Sequence, residues 1–439
     1  RKYAIQPDQA PGAVVADAGE ALREMPAGQR TILTARGGSL VFFTASNLTP
    51  ADLGVADRAR LEEVVGYIRG DAAHNPERDA AGNVWKLGDI FHSSPVTIGT
   101  PSAYFADPRD RSGSFESYRS ARMRTSTNGK RIIVAGANDG QLHAFRTSDL
   151  REVWSFIPPN LLAGLKDIAH RDHPTALAHR FYVDGPITVA DVWTGAGNGK
   201  ANSPSQWKTL LVVGLGQGGG ASLWSSSPAC DSGHRAAYLP GGSHPFYCGY
   251  HALDVTDTLA PVYRWSIRPA ASQAPYLGDP WSRMVIRRVR IGADERWVGI
   301  VGGGHNVSPC AAPADCSARG KGLFVIDAVT GQVLWSFNRF SPGGGAMTHA
   351  LPAPAAVIDS DMDGFADRAY IGDLGGNIWR FSLCRASDGD VCTTADWKGS
   401  LFFQRDGATG PVYHAPAVSR DSSGDLWVYW GTGDGLQPL

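Results

Sequence analysis

Charge is scarce in this chain of 439 residues: Asp, Glu, Lys and Arg make up 19%, against roughly 25% in ordinary soluble domains. The 41 basic and 42 acidic side chains leave a net charge of −1, which argues against a nucleic-acid partner or a polybasic membrane clamp. Long apolar runs are lacking too. No stretch of the sequence approaches the roughly 18 residues a membrane span needs, so no transmembrane segment is expected. No leader is visible ahead of Arg1, and a chain opening there reads as processed or trimmed. Only six cysteines occur, none in a C-x-x-C and none adjacent to another, which leaves out zinc-ribbon spacing. A G-x-S-x-G nucleophile elbow is also absent. What is abundant is turn and aromatic material: 53 Gly, 28 Pro and 13 Trp. That composition fits many short strands joined by tight turns.

Internal repetition organises these residues. Arg131-Ile-Ile-Val-Ala-Gly-Ala-Asn-Asp-Gly-Gln-Leu-His-Ala-Phe145 reads as strand, Gly turn, strand, with near-copies at Thr31 to Phe43 and Ala369 to Phe381. Looser copies start at Leu210 and Val298. A small-residue strand precedes each hairpin, as in Ser93-Ser-Pro-Val96 and Pro354-Ala-Ala-Val357, and a Trp strand follows, as in Val153-Trp-Ser-Phe156, Tyr263-Arg-Trp-Ser-Ile267 and Leu334-Trp-Ser-Phe337. Each set is a four-stranded antiparallel module of the kind that stacks as a propeller blade. Five modules start near His92, Asp184, Ser282, Ala353 and His414, the last incomplete. Length alone suggests about three domains, but the repeats argue for one propeller over residues 1–439. In that reading residues 1–48 complete the last module at 412–433 and close the ring, and residues 49–70 hold one short helix. Leu61, Val64, Val65 and Ile68 give that helix its apolar stripe, with Thr49-Pro50 as its entry signal. The fold class expected is therefore all-β, an irregular propeller with loops stapled by disulfides.

The strongest chemical signal is Asp359-Ser-Asp-Met-Asp-Gly-Phe-Ala-Asp367. Carboxylates at positions 1, 3, 5 and 9, with Gly364 at position 6, match the first nine positions of an EF-hand-type calcium loop. Asp359, Asp361, Asp363 and Asp367 are the candidate carboxylate ligands and Phe365 a backbone-carbonyl ligand, with Ca2+ as the cofactor. Tyr370 stands where a twelfth-position Glu belongs. The bland alternative is a solvated acidic turn, but four like charges in nine residues repel unless a hard cation neutralises them. Gly214-Leu-Gly-Gln-Gly-Gly219 satisfies G-x-G-x-x-G only formally, since no helix pattern follows, and it reads as a blade turn. His170, His173 and His179 lack acidic partners at helical spacing and read as surface histidines. Arg69-Gly70-Asp71 is the tripeptide integrins recognise, yet it ends the expected helix, where Gly is an ordinary C-cap. The cysteines fall in three sequence-local pairs, Cys230 with Cys248, Cys310 with Cys316 and Cys384 with Cys392. Three disulfides and an oxidising compartment are the reading; free thiols of a cytosolic protein are the alternative.

These residues resemble the C-terminal propeller of the PilY/PilC family, tip-associated adhesins and assembly factors of bacterial type IV pili. The resemblance rests on Trp85 to Val96, Val134 to Phe145, Phe156-Ile-Pro-Pro159, Ala252-Leu-Asp-Val-Thr256 and Asp359 to Phe381. It implies a modified seven-bladed propeller, calcium at Asp359, Asp361, Asp363, Phe365 and Asp367, and export to the pilus tip or outer surface. It further implies work with minor pilins in pilus assembly, contact with host-cell or abiotic surfaces, and calcium control of extension against retraction in twitching motility. No enzymatic activity is expected. The rival reading is a quinoprotein dehydrogenase, similar in Asp327-Ala-Val-Thr-Gly-Gln-Val-Leu-Trp335 but normally carrying an adjacent Cys-Cys pair that this chain lacks. A structural or lectin-like propeller is a further alternative.

Overall fold

A computed structural model describes residues 1–5, 11–75, 78–102, 110, 112–169, 179–195, 197, 204–240, 242–306, 318–406 and 410–433. The modules expected from the repeats become blades, numbered here in chain order. Blade 1 runs Val96–Ile98, Ile132–Gly136, Leu142–Arg146 and Glu152–Ile157. Blade 2 runs Ile187–Trp193, Trp207–Gly214, Phe246–Asp254 and Val262–Ile267, with the short Trp224–Ser225 added beside Phe246–Asp254. Blade 3 is Val285–Ile291, Asp294–Gly302, Gly322–Asp327 and Val333–Asn338, and blade 4 is Ala356–Ile358, Arg368–Gly372, Ile378–Ser382 and Lys398–Phe403. Ala417–Arg420 and Leu426–Tyr429 pair as a two-stranded fifth sheet. Among the described residues there are thus four complete blades and one half blade, where the resemblance implied seven.

Inner strands are buried on both faces, so alternate side chains enter different cores. In Trp207–Gly214, Leu211 and Val213 pack with blade 1, whereas Leu210 and Val212 pack with blade 3. In Gly322–Asp327, Phe324 and Ile326 face blade 2 while Leu323 and Val325 face blade 4. Trp strands add a polar latch between neighbours. Trp154 of blade 1 donates its indole N–H to the Thr258 carbonyl of blade 2 at 2.8 Å, and Trp265 of blade 2 does the same to Ala328 of blade 3 at 2.9 Å. The Asp327-Ala-Val-Thr pattern shared with quinoproteins makes the receiving turn, its carboxylate accepting from the amides of Val329 and Thr330, each at 2.9 Å.

The N-terminal hairpin corrects the expected topology. Ile32–Arg36 pairs parallel with Glu152–Ile157, and Ser39–Phe42 lies beyond it, so the hairpin extends blade 1 to six strands instead of completing the module at 412–433. The helix forms over Arg58–Arg69, but its entry is Asp57, whose carboxylate accepts from the Arg60 amide; Thr49-Pro50 belongs to a separate turn. Leu61, Val64, Val65 and Ile68 cover Ile32, Phe43 and Ile157. Among the described residues, the helices Ala18–Glu24 and Ser114–Ala121 and the single turn Leu165–Ile168 escaped the sequence reading. Ser114–Ala121 occupies the long connection before Ile132, where Phe115 and Tyr118 dock on Trp207 of blade 2.

A buried charge network fastens this N-terminal unit to blade 1. Arg30 reaches both Glu152 oxygens at 2.8 and 3.0 Å, the Gln141 side-chain oxygen at 3.0 Å, and the helix carbonyl of Ile68 at 3.0 Å. His143 bridges Glu152 at 2.8 Å and Asp139 at 2.9 Å. Burial alone would lower the His143 pKa, but Asp139 and then Glu152 outweigh it and hold it up to about 9. Burial would likewise raise Glu152, but Arg30 and His143 hold it down to about 2. His143 therefore adds stability that is complete below its ordinary pKa of about 6.5 and is lost as pH rises through its folded value of about 9. Glu152 adds stability that is complete above its ordinary 4.5 and fades as pH falls toward about 2. Urea midpoints should fall between pH 6.5 and 9.5, and His143→Asn should flatten that alkaline limb. Glu152→Gln, which strands Arg30, should cost about 3–5 kcal/mol near neutrality.

Candidate functional site

The acidic loop joins the first two strands of blade 4, Ala356–Ile358 and Arg368–Gly372. Two residues with positive φ, Met362 at 59° and Gly364 at 90°, fold it back on itself. Asp359 accepts from the amides of Asp363 at 3.2 Å and Gly364 at 2.7 Å, so its carboxylate closes the turn. Asp363 accepts from the Phe365 amide at 2.8 Å. The outcome is convergence: one oxygen from each of Asp359, Asp361 and Asp363 lies within 4.8 Å of the others. That spacing is about twice a calcium–oxygen bond of roughly 2.4 Å, so one cation could touch all three.

Asp367 stands apart from this trio. It is buried, accepts from the Ser360 amide at 2.7 Å and from the Ser360 hydroxyl, and pairs with Arg385 at 3.1 Å. The Phe365 ring is buried beneath two guanidinium groups, 5.0 Å from Arg288 and 4.5 Å from Arg290. Tyr370, at the twelfth position, is buried in the Arg368–Gly372 strand and offers no carboxylate. Burial first, then the neighbouring Asp361 and Asp363, raises the pKa of Asp359, and burial followed by the charge of Asp361 raises that of Asp367.

Three supports were not evident in the sequence. Arg290, from the first strand of blade 3, pairs with Asp363 at 2.8 Å. Arg288, on the same strand, donates to the Gly364 carbonyl. The third is the loop closed by Cys384–Cys392, which presents the Ala386 amide to Asp361 at 3.1 Å and Arg385 to Asp367. An arginine-rich strand is uninformative about such contacts until two blades are packed together. The disulfide loop was legible as a staple but not as a neighbour of the acidic turn.

Of the other expected features, Cys230–Cys248 and Cys384–Cys392 are bonded, with Cα atoms 5.9 and 5.7 Å apart. Cys310, Cys316, His170 and His173 lie outside the described residues; His179 sits 3.1 Å from Asp89. Arg69 is spent on the carbonyls of Ala27, Arg30 and Phe43 at 2.7, 2.9 and 3.2 Å. Gly70 is the left-handed C-cap of the helix at φ 79°, and Asp71 accepts from the Ala73 amide at 2.9 Å. The tripeptide therefore has a complete structural role at the helix exit. Gly214 to Gly219 lead into a short 3-10 turn over Gly216–Ala221; a Cβ at Gly218 would lie 1.8 Å from the Tyr182 carbonyl oxygen, so close packing accounts for that glycine.

Face-packed four-stranded blades with an acidic loop in a blade hairpin define a β-propeller domain with a candidate cation centre. The family model of the PilY1 beta-propeller domain matches residues 87–231 and 290–437, more than half of the sequence, and the chain belongs to that family. It is similar to the type IV pilus biogenesis factor PilY1 of Pseudomonas aeruginosa strain PAK, 31% identical over 340 residues that cover 77% of this chain and 24% of that protein. A PilY1 homolog of Xylella fastidiosa is 27% identical over 421 residues, covering 93% of this chain and 28% of the relative. The chain thus spans about a quarter of the length of these relatives. The crystal structure of the Pseudomonas aeruginosa PilY1 C-terminal domain superposes with a TM-score of 0.53 at 26% identity, over 77% of this chain and 59% of that one.

The geometry sets two expectations. Arg290→Gln removes the cation that competes for Asp363, and calcium affinity, measured by calorimetry, should rise several-fold. Replacing Cys384 and Cys392 together by Ser should loosen Arg385 and Ala386 and weaken calcium binding, while the melting temperature falls only a few degrees because the closed loop is short.

Proposed function

We propose that this chain is the calcium-binding, non-enzymatic propeller of a type IV pilus biogenesis factor, acting with minor pilins at the pilus tip or outer cell surface. The observation that carries the metal assignment is the convergence of the Asp359, Asp361 and Asp363 oxygens. In this reading those three carboxylates and the Phe365 carbonyl hold Ca2+, and Asp367 reaches it through water, as ninth-position residues of such loops often do. Calcium is favoured over magnesium because magnesium demands a tighter octahedron and gives up its waters reluctantly. An affinity of about 10⁻⁷–10⁻⁵ M is expected. Family membership supports the pilus role, and the two disulfides support an oxidising location outside the cytoplasm. Ion occupancy would stiffen the blade 4 hairpin that packs against blade 3, giving extension and retraction a calcium-dependent surface to read. Adhesion to host cells or abiotic surfaces falls within the same reading, with other surfaces than Arg69 as the contact.

Isothermal calorimetry tests the metal. The wild-type chain should bind one calcium, and Asp361→Ala should bind none while remaining folded, since Asp361 is exposed. Saturation at about 100 times Kd should add roughly 2.7 kcal/mol to wild-type stability. Absence of calcium binding by the wild type, or equal binding by the variant, would overturn the assignment.

A further inference from the structure

Beside the acidic loop, blade 4 carries a second feature, a cluster of arginines. Two adjoining cavities, of about 530 and 350 Å³, share Arg368, Arg380 and Arg385 in their walls. Arg368 and Arg380 come from paired strands in which Arg368 faces Ser382 and Tyr370 faces Arg380. They are diagonal neighbours on one face, where Cβ atoms lie at most about 7–8 Å apart and like charges destabilise the sheet. Both guanidinium Nε atoms are buried without a hydrogen-bond partner. Of the acids in these walls, Asp388 accepts from the Arg385 amide at 2.8 Å, Asp396 from the Thr393 amide at 2.9 Å and Asp361 from the Ala386 amide at 3.1 Å, and Asp425 lines the smaller cavity. Arg420 closes the smaller cavity from the half blade, anchored on the Ser360 carbonyl.

Two half-buried arginines side by side in a cleft, each with a buried Nε that lacks a hydrogen-bond partner, suit an oxyanion, which a guanidinium grips through two parallel N–H donors. We propose that the cleft between blade 4 and the half blade is a binding site for a tetrahedral oxyanion group, a phosphate or sulfate ester, held by Arg368 and Arg380 with Arg385 and Arg420 at its rim. Tyr370 and Phe402, packed edge to face at 5.3 Å, supply an apolar wall for the organic part of such a ligand. The smaller cavity borders the cation trio through Ser360 and Asp361, while the two gripping arginines, Arg368 and Arg380, lie outside the trio.

The test is calorimetry of the 439-residue chain with inorganic phosphate, inorganic sulfate and acetate, at low ionic strength in a zwitterionic buffer. Phosphate and sulfate should bind at one site and raise the melting temperature, with acetate at least tenfold weaker. Arg368→Gln and Arg380→Gln should each weaken phosphate at least tenfold, and the double variant should abolish it. Arg380→Lys, which keeps the charge and preserves folding if glutamine does not, should still lose most of the affinity with the paired donors. Sulfate binding as tightly as phosphate points to either ester and supports the site. No phosphate-dependent change in the wild type, preference for acetate, or unaltered binding in the double variant or in Arg380→Lys would overturn it.

Discussion

Burial of the inner strands on both faces is the constraint on which the rest of the molecule depends. Each such strand must be apolar at nearly every position, because its odd and even residues enter the cores of two different neighbours. Leu211 and Val213 against blade 1, with Leu210 and Val212 against blade 3, show the arrangement on a single strand. No blade can then keep its core without the next, so stability is shared along the series. Fully burying each large apolar side chain is worth about 1.5–3 kcal/mol. The indole latches of Trp154 and Trp265 add direction to this otherwise non-directional packing, since each reaches one carbonyl of the following blade.

That constraint pushes chemistry into the hairpins and onto the blade edges. The acidic loop can carry three converging carboxylates because it projects from the sheet, yet it is held from three sides. Arg288 and Arg290 reach it from blade 3, Arg385 and the Ala386 amide from the disulfide loop, and Arg420 from the half blade. A cation there would exchange some of these contacts for its own. A small ion could in this way alter how two blades and a stapled loop meet.

Much of this was legible because repeats state it several times. Strand, Gly turn, strand and Trp strand recur, so each copy checks the others, and all five expected modules appear as sheets. The acidic loop was legible for a local reason: its ligand pattern lies in nine consecutive residues. What escaped depended on tertiary contact or on short length. The parallel pairing of Ile32–Arg36 with Glu152–Ile157 cannot be read from a hairpin that resembles every other hairpin. The Ser114–Ala121 helix is capped by Asp110, whose carboxylate accepts from the Ser114 and Phe115 amides at 2.9 and 2.7 Å, and eight residues carry too little periodicity to announce it. One repeat was visible and missed. Asp79-Ala-Ala-Gly-Asn-Val-Trp85 shares its pattern with Asp373 to Trp379 and Asp421 to Trp427, and all three Asp side chains accept from amides two and four residues ahead. In the latter two the Trp also donates to that Asp, at 2.9 and 2.8 Å, whereas Trp85 turns to the Leu87 carbonyl at 2.7 Å.

The central claim is that the Asp359–Asp367 hairpin is a cation centre built into a blade of a PilY1-family propeller. The most direct measurement is a crystal structure of the chain grown in calcium, with anomalous scattering used to identify the ion. The account predicts one calcium touching carboxylate oxygens of Asp359, Asp361 and Asp363, with Arg290 drawn away from Asp363. A loop with no ion, and with Arg290 still paired to Asp363 in saturating calcium, would contradict it.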